Sequence, residues 1–256
     1  MRRAATVAAA AVMLVTSGLP DRAKAADLNL LTPGALMSSL KELLPRFERA
    51  SGHKVAVTYS PALAIAERIK AGQAADVAIL GEDSADELDR IGKLAAGTKT
   101  VIARVGVGVF VRRGDPKPDI GTVEAFTRAL IGAKTIAYSD PALGGSASNY
   151  VDSMLGSLDI TGSIKAKTRL AKKYRSLADS VAGGGVDFGL NQIAEIVADP
   201  RLELVGPLPA PLQRYTHYTA VVIALSADPR AAQELIGFLA SPAAAEVMKV
   251  RGFEPL

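Results

Sequence analysis

The chain of 256 residues contains no cysteine. Disulfide bonds, thiolate metal sites and a cysteine nucleophile are therefore excluded, and we expect no lipid anchor on an N-terminal cysteine. A protein without disulfides must be held together by its hydrophobic core. Apolar residues make up 49% of the chain, which is enough at this length for one large domain or two smaller ones.

Histidine and the common catalytic motifs are equally scarce. The two histidines, His53 and His217, have no partners at the spacing of a zinc site or a catalytic triad. The G-x-S-x-G and phosphate-loop motifs do not occur, and G-x-G-x-x-G does not follow a strand. His53, in a helix-to-strand turn, is interpreted as a surface residue, whereas His217 could line a cleft. We expect no enzymatic activity, no metal and no cofactor.

The first 25 residues are typical of a signal peptide. Arg2 and Arg3 precede an apolar stretch at 4–15, and residues 23–25 form the small-x-small pattern that signal peptidase cleaves. This stretch is shorter than the roughly 20 residues that span a bilayer. We predict cleavage after Ala25 and a periplasmic location for the mature protein.

The positive charge of the chain lies mostly in this leader. The formal net charge is +4, and removal of residues 1–25, which carry a net +3, lowers it to +1. A nearly neutral mature chain gives no support for nucleic-acid binding. No other apolar stretch is long enough to span a membrane, so we expect a soluble protein, and its length suggests a monomer.

Short apolar runs alternate with amphipathic stretches, which predicts an α/β fold with mainly parallel strands. Residues 27–105 or so contain three strand–helix repeats, and a second unit follows at about 108–215. The last 35 or so residues hold one strand and two helices, which should pack on the first unit. We therefore predict lobe I at 26–106 plus 217–256 and lobe II at 107–216. The chain would cross twice between the lobes and form a hinge beside a cleft.

Four turns rich in small residues stand between a strand and a helix. In open α/β sheets ligands bind beyond the carboxyl ends of the strands, and helix N-termini offer unpaired N–H groups to anions. The turns lie at 32–35 and 60–62 in lobe I, and at 144–148 and 191–193 in lobe II. In lobe II we predict helices at 150–158 and 191–197 and a strand at 165–170.

These turns supply the predicted ligand-binding residues, most of which contribute backbone N–H groups or small hydroxyls. They are Gly34, Ala35, Ser60, Ala62, Gly145, Ser146, Ala147 and Gln192. Weaker candidates for the walls of the cleft or a counter-charge are Tyr59, Arg68, Tyr138, Asn191 and His217.

Four stretches make the chain resemble the bacterial periplasmic solute-binding proteins of ABC importers, of the molybdate-binding type. They are LNLLTPGALMSSLKELLPRFERASGHKVAVTY, AERIKAGQAADVAILGED, GGSAS and ELIGFLASPAAAEVMKVRGFEPL. The resemblance implies two lobes of the type-II binding-protein fold, joined by a two-strand hinge. It also implies a receptor that closes on a small anion in the cleft and delivers it to a membrane ABC permease.

The chain departs from the molybdate-binding pattern at the turns. Ala35 stands where the family has a serine, the second turn keeps only the hydroxyl of Ser60, and Pro61 has no N–H. The tyrosine expected in the second lobe is replaced by Asn191 or Gln192. Because a buried anion that loses donors loses several kcal/mol of binding energy, these changes disfavour molybdate or tungstate.

Three other ligand or function classes stay open from the sequence. The hydroxyls of Ser146 and Ser148 suit an organic di- or tricarboxylate at least as well as an oxyanion. An exported α/β hydrolase or isomerase is the alternative outside the binding proteins, and an adhesin or sensory receptor is a further one.

Overall fold

The computed structural model describes residues 25–158, 160–172 and 174–254, which form nine β-strands and ten α-helices in two lobes. The predicted signal peptide lies outside the described residues, except for its last residue. Among the described residues, no helix combines the length and the apolar composition needed to cross a bilayer.

Lobe I begins with three strand–helix repeats, as predicted. Apolar residues at helical spacing bury one face of the first helix, which ends where Gly52 takes a positive φ of 82°. The strands are β1 (Asp27–Thr32), β2 (Lys54–Tyr59) and β3 (Val77–Gly81). The helices are α1 (Met37–Ser51, preceded by a 3₁₀ turn at Gly34–Leu36), α2 (Ala62–Lys70) and α3 (Glu82–Arg90).

Two long strands connect the lobes. β4 (Thr100–Arg112) pairs with β9 (Tyr215–Val222) up to Gly106, and from Val107 onward it pairs with strands of lobe II. All four pairings that β4 and β9 make with neighbouring strands are antiparallel. Four of the eight described strand pairings are thus antiparallel, and the prediction of mainly parallel strands is wrong for them. The reason is that the two crossing strands are antiparallel to their neighbours.

The described part of lobe II contains four strands and five helices. Its strands are β5 (Ile136–Ser139), β6 (Thr168–Ala171), β7 (Phe188–Gln192) and β8 (Leu202–Pro207). Its helices are α4 (Val123–Gly132), α5 (Ser146–Ser157), α6 (Thr161–Ile164), α7 (Tyr174–Ala182) and α8 (Ile193–Val197). β5 pairs in parallel with β6 and β7.

Three predicted boundaries in lobe II are wrong. The helix predicted at 150–158 begins at Ser146, because Ala147 continues the buried apolar face of α5. The strand predicted at 165–170 begins only at Thr168, since a 3₁₀ turn occupies the three preceding residues. The helix predicted at 191–197 begins at Ile193, because the two residues before it complete the buried strand β7.

The C-terminal helices pack on lobe I, as predicted. α9 (Pro229–Leu239) and α10 (Pro242–Val250) share a buried cluster with α1 and β1. The cluster includes Leu40, Leu235 and Met248, each at most 1% exposed. Ala194 of α8 belongs to the same cluster, so the base of lobe II is packed into the core of lobe I.

His53 is buried, and its interpretation as a surface residue is wrong. The side chain is 2% exposed, and its Nδ1 accepts a hydrogen bond from the Ala26 N–H at 2.9 Å. Its Nε2 lies 3.2 Å from the Glu234 carboxylate, and the ring lies beside Phe47. The turn therefore directs this imidazole between α1 and α9 rather than into solvent.

The buried Asp76 fastens three segments of lobe I. One carboxylate oxygen accepts from the Asn29 N–H at 2.8 Å, and the other accepts from the Ser226 hydroxyl at 2.8 Å and the Ala227 N–H at 3.1 Å. Hydrogen bonds to a charged acceptor are stronger than neutral ones. Asp76, which directly precedes β3 in the AADVAIL stretch, therefore has a structural role: it joins the start of β3 to two other segments of lobe I.

The Gln213 side chain clamps the chain where β4 changes lobes. Its Oε1 accepts from the Val107 N–H at 3.0 Å, and its Nε2 donates to the Val107 carbonyl at 2.9 Å. A Cβ at Gly106 would lie 2.9 Å from Nε2, so a larger residue there would displace the Gln213 side chain from Val107. We propose that the lobe boundaries predicted from the sequence lie at this clamp.

Candidate ligand-binding site

Four helix N-termini meet at a cavity of about 300 Å³ between the lobes. We call it the interlobe cavity. Lobe I contributes the turns before α1 and α2, and lobe II contributes those before α5 and α8. The lining residues are Pro33, Gly34, Ala35, Tyr59, Ser60, Pro61, Ala62, Ser139, Leu143, Gly145, Ser146, Ala147, Ser148, Asn191, Gln192, Glu195 and Tyr218.

None of these four helix starts is capped by its own N-cap side chain. The N-cap residues are Pro33, for the 3₁₀ turn that leads into α1, and Pro61, Gly145 and Gln192. None of their side chains accepts a hydrogen bond from an N–H of the first turn. Three helices that start away from the cavity, α4, α9 and α10, are capped by Thr122, Asp228 and Ser241, whereas α3 has no side-chain cap either. The first-turn N–H groups at the cavity are thus left for another acceptor.

The interlobe cavity has no cationic side chain. Among its described lining residues there is no lysine or arginine. The N-terminal ends of helices carry a partial positive charge, which attracts anions even without a formal charge. Within the described part of the chain, no cluster of three or more histidines and carboxylates could hold a metal ion.

Glu195 is the acidic residue of this cavity, and no local pattern in the sequence marks it as a site residue. It lies in the first turn of α8, where an acidic residue usually stabilises the helix end from the solvent side. Here the side chain lines the cavity, and burial raises the pKa of Glu195 from 4.5 to about 7. A hydrogen bond with Asn191 acts in the opposite direction.

Tyr218 and Gln192 form a fixed wall of the cavity. The Tyr218 hydroxyl donates to Gln192 Oε1 at 2.7 Å, and Gln192 Nε2 donates to the Thr216 hydroxyl at 3.2 Å. One N–H of the Gln192 amide is left over for a ligand. Burial, together with the charge of Glu195, raises the pKa of Tyr218 above its usual range, so this phenol stays a hydrogen-bond donor. Tyr218 was also missed, because it reads as one more residue of a buried strand.

The structure brings all eight predicted ligand-binding residues to the interlobe cavity, together with Tyr59 and Asn191. His217 lies elsewhere, in a neighbouring cavity of about 620 Å³ beside the crossing strands, which we call the hinge-side cavity. Arg68 is exposed on α2, and the Tyr138 hydroxyl donates to Asp152 at 2.7 Å. Neither lines the interlobe cavity.

The hinge-side cavity adjoins the interlobe cavity. Ser146 and Ala147 line both, so they separate one from the other. The hinge-side cavity also contains Arg214, and His217 Nδ1 lies 3.7 Å from the Glu82 carboxylate there. The interlobe cavity therefore offers neutral hydrogen-bond donors, and the hinge-side cavity offers side chains of both charges.

The two lobes touch across the interlobe cavity. A Cβ placed on Gly144 of lobe II would lie only 2.7 Å from the Leu63 Cβ of lobe I. A Cβ on Gly81 of lobe I would lie 3.8 Å from the Ser146 Oγ of lobe II. The cleft is therefore closed, with the uncapped helix ends facing each other.

Comparison with known proteins agrees with this architecture. Residues 28–254 match the family described as bacterial extracellular solute-binding protein. An aconitate isomerase from a Pseudomonas species is 30% identical over 260 residues, which cover 99% of this chain and 97% of the relative.

Solved structures show the same fold. The periplasmic molybdate-binding protein of Azotobacter vinelandii has a TM-score of 0.71 at 22% identity, covering 88% of this chain and 98% of that one. The sulfate-binding protein SubI of Mycobacterium tuberculosis has a TM-score of 0.73 at 18% identity, covering 90% and 87%. The two-lobed type-II periplasmic-binding-protein fold is thus confirmed, and the chain belongs to the family of bacterial extracellular solute-binding proteins.

Proposed function

We propose that the interlobe cavity binds a small organic anion with two or three carboxylates. The observation that carries this proposal is the meeting of four uncapped helix N-termini at a cavity without lysine or arginine. Carboxylate oxygens can accept hydrogen bonds from these N–H groups and from the nearby hydroxyls, because each oxygen has two lone pairs.

A compact inorganic dianion fits these residues less well than a carboxylate. Ala35 and Pro61 supply no side-chain donor, and Glu195 places a second acid beside the ligand. Two negative charges in a poorly hydrated cavity repel each other strongly. A carboxylate ligand can share a proton with Glu195 in a short O–H···O⁻ hydrogen bond, which avoids the repulsion.

The space beyond Ser146 also favours an extended ligand. A second carboxylate could reach past Ser146 into the hinge-side cavity, where Arg214 lies. Arginine matches the planar geometry of a carboxylate through paired N–H groups. The similarity to an aconitate isomerase points to the same class of ligand, since aconitate is a tricarboxylate.

The biological role that we propose follows from the family. The protein would be exported with the help of its N-terminal signal peptide, and would bind its carboxylate in the periplasm as a monomer. It would then deliver the ligand to a membrane ABC permease. No cofactor is needed for this role, because binding and lobe closure use only the residues of the cleft.

Binding of carboxylates should raise the melting temperature. At a ligand concentration 100 times the Kd, mass action adds about 2.7 kcal/mol to the free energy of unfolding, or roughly 5–10 °C for a chain of this size. A thermal-shift panel would contain tricarballylate, citrate, trans-aconitate and succinate, with acetate, molybdate, sulfate and phosphate as controls. Larger shifts with molybdate or sulfate than with any carboxylate would contradict the choice of ligand class.

A second candidate function is isomerisation of an unsaturated carboxylate. It is favoured by the position of Glu195, whose pKa of about 7 suits a general base at neutral pH. The ionised carboxylate would remove a proton from the saturated carbon next to the double bond. The electrons of the C–H bond would form a new double bond, and the charge would spread onto a conjugated ligand carboxylate, where helix N–H groups could stabilise it.

Return of the same proton to the far carbon of the original double bond, whose π electrons form the new C–H bond, would complete this isomerisation with no atom gained or lost. Incubation of the protein with cis-aconitate, followed by proton NMR, tests the candidate directly. Appearance of trans-aconitate well above the rate in buffer would support it, provided that Glu195→Gln removes the activity. Carboxylate binding without turnover would contradict the isomerase function and support the function as a binding protein.

A further inference from the structure

Glu195 lies between two cavities. On one side it lines the interlobe cavity, and on the other it lines a cavity of about 730 Å³ between α1 and the end of α10, which we call the rear cavity. The first helical turn of lobe I, Gly34 and Ala35, also borders both. A carboxyl group in this position can face a ligand while another side of it stays near solvent.

Several polar side chains line the rear cavity. Ser38 and Arg251 line it, and the Ser38 hydroxyl and Arg251 Nε are buried without a hydrogen-bond partner within the described part of the chain. Buried polar groups of this kind are usually satisfied by ordered water. Water in the rear cavity would give the Glu195 carboxyl a route for proton exchange when the lobes are closed.

Most charged groups around Glu195 are paired with other residues. In the rear cavity, Arg251 donates to the Glu42 carboxylate at 3.0 Å, and Lys41 is exposed. On the interlobe side the titratable groups are the phenols of Tyr59 and Tyr218. On the strands that pack against α8, each charged side chain has its own ion pair: Arg104 with Glu254, Arg112 with Asp115, and Glu203 with Lys117.

We infer that ligand binding in the interlobe cavity is coupled to the uptake of one proton by Glu195. The inference rests on the proposed carboxylate ligand and adds a regulation of the same site. An ionised Glu195 would repel the ligand in a cavity that lacks cationic side chains. The neutral acid would instead donate its O–H to one oxygen of a ligand carboxylate. The other carboxylate oxygens of the ligand would accept hydrogen bonds from the first-turn N–H groups.

The titration of the empty protein agrees with this coupling. Because burial raises the pKa of Glu195 to about 7, the side chain exchanges its proton near neutral pH. A bound anion raises this pKa further, because a neighbouring negative charge disfavours ionisation. The Kd should therefore be constant well below pH 7 and should rise by up to about tenfold per pH unit above it.

Calorimetric titration with tricarballylate measures the coupling. At pH 8, titrations in phosphate and in Tris, which have different ionisation enthalpies, should give an uptake close to one proton per ligand, and at pH 6 close to none. Between pH 6 and pH 9 the Kd should rise by about 100-fold. In Glu195→Gln the uptake at pH 8 should fall to nearly zero, and the Kd should change little with pH.

The matched control is Glu42→Gln, which neutralises the other carboxylate of the rear cavity and should keep the uptake near one proton. Tricarballylate binding without proton uptake at pH 8 would overturn the inference, and it is the result expected if Glu195 acts as the ionised base of an isomerase. Uptake that persists in Glu195→Gln would also overturn it. If no carboxylate bound at any pH, the proposed function itself would fail.

Discussion

Replacing Gly144 with valine should lower the affinity for a carboxylate ligand by about 10- to 100-fold. Gly144 has a φ of 72°, and a Cβ on it would lie 2.7 Å from the Leu63 Cβ of the opposite lobe. Forcing extra atoms into a close contact costs about 1–3 kcal/mol. Because this contact joins the two lobes, the cost would fall on the closed state, in which the four helix ends surround the ligand.

The matched control is Gly114→Val. Gly114 also has a positive φ, of 85°, but a Cβ on it would meet nothing within 4 Å. Both variants therefore carry similar backbone strain, and only Gly144→Val obstructs closure. Isothermal titration should show nearly normal affinity for the control. Equal affinity losses in both variants would mean that backbone strain, not the contact between lobes, is responsible.

Replacing Glu195 with glutamine should stabilise the protein at alkaline pH. Burial raises the pKa of Glu195 from 4.5 to about 7, so the folded state holds its proton more tightly than the unfolded state. The wild type therefore loses stability as the pH rises from about 4.5 to 7, and this loss stays constant above that range. A shift of this size corresponds to about 2–3 kcal/mol, allowing for the partial exposure of the side chain to the cavities.

Urea unfolding at pH 5 and pH 8 tests this prediction. The difference in the free energy of unfolding between Glu195→Gln and wild type should grow by about 2–3 kcal/mol from the lower to the higher pH. The exposed carboxyl of Glu246 on α10 provides the control, since Glu246→Gln should show almost no such growth. A Glu195→Gln variant that is equally destabilised at both pH values would contradict the proposed burial of this acid.

Local patterns in the sequence predict most of the fold. The helical spacing of Leu40, Leu43 and Phe47 and the stop at Gly52 depend on residues close together in the chain. The direction of β4 and β9 depends on long-range pairing, which such spacing does not contain. The burial of His53 has the same cause, because its partner Glu234 lies 181 residues further along the chain.

The candidate site is predicted in part for the same reason. Small residues between a strand and a helix can be recognised locally, so the sequence predicts the four turns and their N–H groups. Glu195 and Tyr218 resemble ordinary residues of a helix start and a buried strand. Glu195 becomes a site residue because α8 packs into the core of lobe I and turns its first residues toward the cleft. Tyr218, on β9, becomes one because its hydroxyl reaches Gln192 just before that helix.

A crystal structure of the protein with trans-aconitate or tricarballylate tests the central claim most directly. We expect a single ligand in the interlobe cavity. Its carboxylate oxygens should lie within about 3 Å of first-turn N–H groups from both lobes, with one oxygen at hydrogen-bonding distance from Glu195. A ligand bound outside this cavity, or one held by side chains while the N–H groups at Gly34 and Ser146 remain uncontacted, would contradict the account.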